Sequence, residues 1–304
     1  MQYIGRFAPS PTGPLHFGSL VAAVASYCDA KYNQGKWLVR MEDVDKPREM
    51  VGAADDILRT LEAFGFEWDS ADSNSKVIFQ SQRGDIYQHY LEQLNRDGYI
   101  YACTCSRKEI ADSATSAGIE GAIYPKTCLL KPAPQASNIQ TNNPAAYRAM
   151  VLDKNISFTD AIQGEVTQNL AIEIGDFILK RKDGLFAYQL TVVVDDALQG
   201  ITHVVRGADL LNSTPRQIYL QQLLGFTTPY YAHVPVIVNA LGEKLSKQTL
   251  ANPITPESAP TLVFEALCFL GQNPPDKLKH ANLADIWRWA ITHWQLASVP
   301  RSTK

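Results

Sequence analysis

The run Tyr3-Ile4-Gly5-Arg6-Phe7-Ala8-Pro9-Ser10-Pro11-Thr12-Gly13-Pro14-Leu15-His16-Phe17-Gly18-Ser19 decides how the chain begins to fold. Tyr3 to Ala8 reads as a short apolar strand. The prolines and glycine between Pro9 and Pro14 can continue neither a ladder nor a helix, so this part is a loop. Gly18-Ser19 then opens into Leu20-Val21-Ala22-Ala23-Val24-Ala25, an apolar helix expected to run to about Asn33 and stop near Gly35. A tight turn between a first strand and a helix delivers backbone N–H groups and a positive helix end toward a phosphate. Gly18 lets a base or ribose approach the helix start without a Cβ in the way, and His16 adds a donor beside the anion.

Downstream of this opening, Trp37 to Met41 is a second strand ending in the acidic Glu42-Asp43-Val44-Asp45. Ile57, Leu58, Leu61 and Phe64 then fall at helical spacing before Gly65. Strand and helix alternating in this way predict a parallel sheet with crossover helices. From about Tyr101 the pattern changes. Cys103, Cys105 and Cys128 bracket a polar stretch, Lys131 to Pro144 reads as linker or exposed loop, and Ala145 to Gln189 reads as β. The β segments are Tyr147 to Met150, Val166 to Ile172, and Phe177 to Gln189 with a hairpin turn at Asp183-Gly184. Alternation returns at Thr191, with a strand over His203 to Arg206 and a helix over Thr214 to Leu224. The apolar run Val234 to Val238 reads as a buried strand leading into Gly242-Glu243-Lys244-Leu245-Ser246-Lys247, and Thr261 to Trp294 is helical by period.

The expected architecture is an α/β nucleotide-binding sheet split by an insertion, with a short helical tail. Its boundaries are 1–100 with 186–257 for the sheet, 101–185 for the insertion and 258–304 for the tail. The 304 residues fit a prior of about two domains. With 28 basic against 31 acidic residues the net charge is −3, which excludes a histone-like coat of nucleic acid but not a local basic groove. A 45% hydrophobic and 19% charged composition can bury a core, which argues against disorder as the main state. The start shows no basic leader followed by an apolar core, and no apolar run reaches the roughly 20 residues a membrane span needs. Five cysteines without a signal peptide argue against a disulfide framework. The expectation is a soluble cytoplasmic protein with no membrane partner, acting as a monomer.

Lys244-Leu245-Ser246-Lys247 places two lysines three apart on a Gly-led loop, able to close on a polyphosphate and neutralise charge as it develops. Together with the opening run it resembles the two signature motifs of the class I aminoacyl-tRNA synthetases, in the same order and separated by an inserted segment. The resemblance is closest to the glutamyl-tRNA synthetases. Arg6-Phe-Ala-Pro-Ser10-Pro-Thr-Gly13, Arg40-Met-Glu42-Asp43-Val-Asp45, Arg206-Gly207-Ala-Asp209 and the lysine loop carry it from residue 6 to residue 247. There are departures: Ser19 stands where the first signature has its second His, Leu245 replaces Met, and Gln248 replaces the final Ser. Only about fifty residues follow Gln248, too few for the helical domains with which glutamyl-tRNA synthetases read the anticodon. The chain is therefore similar to a truncated paralogous family, the glutamyl-queuosine tRNA(Asp) synthetases.

That resemblance implies ATP-dependent activation of L-glutamate without tRNA, then transfer to the queuosine base at the wobble position of tRNA(Asp). It implies His16, Lys244 and Lys247 as catalytic groups, with Gly18, Ser19 and Ser246 completing an ATP site and Mg²⁺ arriving with the ATP. Arg6 and Arg206 are the carboxylate clamps, because a guanidinium reads a carboxylate by shape as well as charge. By resemblance Glu42 receives the α-ammonium, Tyr188 donates to a carboxylate and Ser10 lines the pocket. Alternatives are a truncated glutamyl-tRNA synthetase charging the acceptor end, and an inactive tRNA-binding paralogue. Cys103, Cys105 and Cys128 suggest thiolate ligation of one structural Zn²⁺; in the resembling paralogue a tyrosine placed like Tyr124 completes the set. Cys28 and Cys268 read as core, as do Trp287, Trp289 and Trp294, while Lys180-Arg181-Lys182 and Arg107-Lys108 are basic turns that could meet RNA.

Overall fold

The computed structural model describes residues 2–70, 76–130, 145–237 and 254–302. Strand β1 (Ile4–Phe7) passes through the Pro/Gly loop into helix α1 (Phe17–Tyr32). The chain returns as β2 (Lys36–Met41), which lies parallel to β1 with Arg6 opposite Leu38. Helix α2 (Ala53–Ala63) then crosses over to β3 (Val77–Phe79), parallel to β2 on its far side. After α3 (Gly84–Arg96) comes β4 (Ile100–Cys103).

Shorter elements follow: α4 (Arg107–Ser113), the two-residue strands β5 (Ala117–Gly118) and β6 (Gly121–Ala122), and α5 (Thr127–Leu130). Strand β7 (Ala146–Ala149), the hairpin β8 (Asn155–Asp160) and β9 (Gly164–Asn169), α6 (Leu170–Glu173) and β10 (Ile178–Lys180) complete this part. Here β7 sits between β4 and β10 in a three-stranded antiparallel sheet. Helix α7 (Tyr188–Leu198) leads back to parallel pairing: β11 (His203–Gly207), α8 (Thr214–Leu224) and β12 (Tyr230–Val234). Helices α9 (Ala259–Phe269) and α10 (Leu283–His293) follow, and a 3₁₀ turn over Leu296–Ser298 comes after them.

The two parallel units meet edge to edge at β1 and β11. The Thr202 N–H donates to the Ile4 carbonyl at 2.9 Å, and the Ile4 N–H donates to Thr202 Oγ1 at 2.8 Å. The strands therefore lie in the order β3-β2-β1-β11-β12, and alternation along each sends neighbours to opposite faces. Trp37, Val39, Met41, Val205, Ala232 and Val234 join α1, α9 and α10 in one core; Leu38, Val204 and Tyr231 join α3, α7 and α8 in the other. Trp287 and Trp294 are buried as expected, their indole N–H groups donating to Phe64 O and Asp29 Oδ1, both at 2.9 Å. Side chains of this size contribute roughly 2–3 kcal/mol each when buried, so the tail helices are part of the sheet's own core.

The structure corrects four local readings. The strand expected over Val234 to Val238 ends at Val234, because Pro235 has no N–H to give a ladder; Val238 lies outside the described residues. The Val166 to Ile172 strand becomes helical at Leu170, where Asn169 caps the first turn through its Oδ1. The Asp183-Gly184 turn exists, but its return strand is a single bridge from Lys180 to Phe186, and Tyr188 already starts α7. Cys28 is buried as expected whereas Cys268 is exposed. The expected linker over 131–144 lies outside the described residues. Among the described residues no helix is long and apolar enough to cross a membrane.

Candidate active site

A cleft of about 570 Å³ opens where β1, β11 and β12 end. Its walls come from the loop after β1 with Ser10, from His16, Gly18 and Ser19 at the start of α1, and from Glu42, Tyr188, Arg206 and Asp209. Beyond β12 the rim continues through Pro235 to Ile237. The chain leaves β1 toward β2 on one side while β11 flanks β1 on the other. Such a switch in strand order leaves a crevice beyond the strand ends, the usual place for a ligand in a parallel sheet.

The period of two explains what faces the cleft. Arg40, Arg6, Arg206 and His233 lie on neighbouring strands β2, β1, β11 and β12 and all project to the α7/α8 face, Arg6 and Arg206 lining the cleft. They are 0%, 3%, 5% and 0% exposed, so each buried basic group needs a partner. Helix α7 supplies carboxylates. Asp196 takes Arg6 Nε and Nη2 at 3.1 and 3.2 Å and Arg40 Nη2 at 2.8 Å. Asp195 takes Gln80, Arg83 and Tyr87 at 2.7–2.8 Å. Burial alone would push the Asp196 carboxyl up, but Arg6 and Arg40 outweigh it and hold it below its ordinary value. Glu42, 3.4 Å from Arg40 Nη2, is shifted the other way: burial raises it, and Arg40 and Arg6 compensate only in part.

Arg206 is held differently. Its Nε donates to His233 Nε2 at 3.0 Å, its Nη1 to Tyr188 Oη at 3.2 Å, and its Nη2 to Thr214 Oγ1 and Gln217 Oε1 at 2.9 and 2.8 Å. Burial pushes the Tyr188 phenol up, so it keeps its proton and can donate it to a ligand. On the opposite wall His16 is the N-cap of α1: its Nδ1 accepts from the Gly18 and Ser19 N–H groups at 3.1 and 3.4 Å. A neutral ring in this arrangement carries its proton on Nε2. The Ser19 hydroxyl closes the capping box on the His16 backbone N–H at 2.8 Å. Ser19 thus closes the helix start while lining the cleft, and the cap occupies the Gly18 and Ser19 N–H groups.

Arg6, Ser10, His16, Gly18, Ser19, Glu42, Tyr188 and Arg206 therefore all line one cleft. Lys244, Ser246 and Lys247 lie outside the described residues. The flanks of their segment touch the cleft: Ile237 lines it, and the Ile254 N–H donates to the carbonyl of Leu15, itself a lining residue. Asp196, His233 and Asp160 were not singled out from the sequence. The available signal was a polar residue at the end of each otherwise apolar strand; for Asp196 there was only a paired carboxylate inside an apolar helix.

A second cluster lies in the segment after β4. The sulfurs of Cys103, Cys105 and Cys128 are all within 4.8 Å of one another, and Tyr124 Oη is 3.5 Å from Cys105 Sγ and accepts the Cys128 N–H at 2.9 Å. Partial burial would raise the Cys128 thiol, but hydrogen bonds from Tyr124 and Thr104 bring it down to about 6, while burial raises Cys105. Three convergent sulfurs, one already inclined to be a thiolate, form a group that could hold a metal ion.

A family model for the catalytic domain of class I tRNA synthetases (E and Q) matches residues 4–279. Glutamyl-Q tRNA(Asp) synthetase of Dechloromonas aromatica is 56% identical over 303 residues, covering 99% of this chain and 97% of that protein. Its counterpart in Pseudomonas aeruginosa is 51% identical over 300 residues, covering 99% and 96%. Among solved structures, a glutamate tRNA ligase from Elizabethkingia meningosepticum in complex with its amino acid superposes with a TM-score of 0.81 at 26% identity. The match takes in 99% of this chain and 66% of that one. Matched along nearly its whole length, the chain belongs to the class I tRNA synthetases for E and Q, in the family of the glutamyl-Q tRNA(Asp) synthetases.

Proposed function

We propose that the protein activates L-glutamate with ATP in the absence of tRNA, then transfers the glutamyl group to the queuosine base at the wobble position of tRNA(Asp). The observation that carries this reading is the row of buried guanidinium groups ending at one cleft whose other wall is a His-capped helix start. A dicarboxylate with one ammonium needs two cationic partners and one anionic one. Arg6 and Arg206 supply the first and Glu42 the second, while Tyr188 donates to a carboxylate and Ser10 lines the pocket. The ammonium of the substrate would draw Glu42 back toward the carboxylate form that burial disfavours.

In the activation step an α-carboxylate oxygen attacks the α-phosphorus of ATP and pyrophosphate leaves. Both reactants are anions, so catalysis here is alignment and neutralisation. His16 Nε2–H, Lys244 and Lys247 serve the phosphates, with Gly18, Ser19 and Ser246 shaping the ATP site; Mg²⁺ bound to ATP supplies further charge neutralisation. In the second step a queuosine hydroxyl attacks the glutamyl carbonyl, AMP leaves, and the hydroxyl proton passes to the departing phosphate or solvent. Cys103, Cys105, Cys128 and Tyr124 are read as the ligands of one structural Zn²⁺, whose chemistry is to cross-link the segment. In this reading 101–185 is an insertion between the sheet halves 1–100 and 186–257, with 258–304 a helical tail, and the protein works as a cytoplasmic monomer.

The test is to map labelled glutamate on tRNA(Asp) with and without queuosine. Label on the anticodon loop, only in the modified tRNA, is the expected result. Label on the 3′ end would favour a truncated glutamyl-tRNA synthetase, and no label on either tRNA would favour an inactive binding paralogue.

A further inference from the structure

We infer that His233, fixed in one tautomer by Asp160, is the positioning residue that aims Arg206 at the substrate carboxylate. The inference rests on reading the cleft as the glutamate site and concerns residues that lie behind it. His233 and Arg206 are register partners on β12 and β11. A guanidinium Nε can only donate, so the 3.0 Å contact requires His233 Nε2 to be an acceptor, and a neutral ring must then carry its proton on Nδ1. Asp160 enforces that form. Its Oδ2 lies 2.6 Å from His233 Nδ1, and its Oδ1 takes the His233 backbone N–H at 3.1 Å. Asp160 is itself pinned by the N–H groups of Ile162 and Gln163 at 3.0 and 2.8 Å, in the turn of the β8–β9 hairpin.

The support is neutral, and that is its use. Among the described residues, Arg206 makes hydrogen bonds only to an imidazole, a phenol, a hydroxyl, an amide and the Leu210 carbonyl. Arg6, by contrast, shares a carboxylate with Arg40. A guanidinium held by neutral acceptors keeps its full charge for an incoming anion, whereas a protonated imidazole would repel it. Burial drives His233 down to about 4, which keeps the ring neutral at ordinary pH. Asp160 is thereby a second-layer carboxylate that orients the cation without neutralising it.

The experiment combines ATP–pyrophosphate exchange with ¹⁵N spectroscopy of the full chain. His233→Leu should raise the KM for glutamate about 30-fold or more and leave the KM for ATP within about 2-fold, as expected when one charge-assisted hydrogen bond is lost. His233→Gln, whose Oε1 can replace Nε2 as acceptor, should recover most of that loss. In an Arg206→Lys background His233→Leu should add less than about 3-fold, because the two residues act as one unit. Independently of activity, a ¹⁵N–¹⁵N coupling between Arg206 Nε and His233 Nε2 should be present in the unaltered protein. Equal rises in both KM values, or no such coupling, would overturn the inference. No exchange by the unaltered protein would sink the glutamate reading instead, and the coupling would still decide whether His233 holds Arg206.

Discussion

The cleft and the cysteine cluster keep their polar groups in place by opposite means. Around the cleft, Arg6, Arg40, Asp195, Asp196 and His233 are buried between a parallel sheet and α7/α8, and each is fixed by partners from distant parts of the chain. In the cysteine segment α4 and α5 bury no residue, β5 and β6 are two residues long, and only Cys103 and Tyr124 of the cluster are buried. A large core can hold several charges in a fixed pattern because breaking any one contact strands another. A segment with too little apolar surface has no such means, and converging thiols on one ion is the alternative. The lesson is that one chain fixes reactive groups by burial where it has a core, and where it has none brings together thiols that could share an ion.

The largest effects should come from removing the cations assigned to the two substrates. Arg206→Ala should lower kcat/KM for glutamate about 10³-fold in pyrophosphate exchange, roughly 4 kcal/mol. Lys247→Ala should abolish exchange while the circular dichroism spectrum stays unchanged. A loss under tenfold for Arg206→Ala would mean that this buried cation is structural, which would erase half of the contrast. Next is the support layer. Asp196→Ala leaves Arg6 and Arg40 buried without their shared carboxylate and should cost about 3–5 kcal/mol in urea unfolding.

A smaller effect follows from His233. Its ordinary value is 6.5 and its folded value about 4, so the unfolded chain takes up a proton before the folded one does. Stability should therefore be fully present above about pH 6.5 and fall as pH drops toward 4, by roughly 1.4 kcal/mol per unit. His233→Gln should remove that slope. Asp160 and Asp196, held below their ordinary 3.8, add their losses only at still lower pH. The smallest effect on activation should come from the other site. If the proposed Zn²⁺ is bound there, a zinc chelator, or Cys128→Ser, should change exchange by less than about 2-fold while exposing the segment after β4 to proteolysis. A large loss of exchange on chelation would show that the two regions are not independent.

How much of this was legible in the sequence depended on the range of the interactions. The strand-loop-helix opening, α8 over Thr214–Leu224 and the cleft-lining Arg6, His16, Glu42 and Arg206 stand in local patterns or ordered motifs. Tyr188 lines the cleft but reads from sequence as part of a strand, since no side-chain cap marks the helix start at Ala187. Asp196 escaped notice because its partner Arg6 is 190 residues away, and His233 because Asp160 is 73 away. Such pairings follow from sheet register and strand order, which a single sequence does not display.

The central claim is that the buried guanidinium groups and the capped helix start, working with the lysine loop, activate glutamate without RNA. Exchange of labelled pyrophosphate into ATP, run with glutamate and with no RNA present, tests it most directly. The account predicts exchange that depends on glutamate and is lost in Arg206→Ala; exchange that appears only when tRNA is added, or not at all, would contradict it.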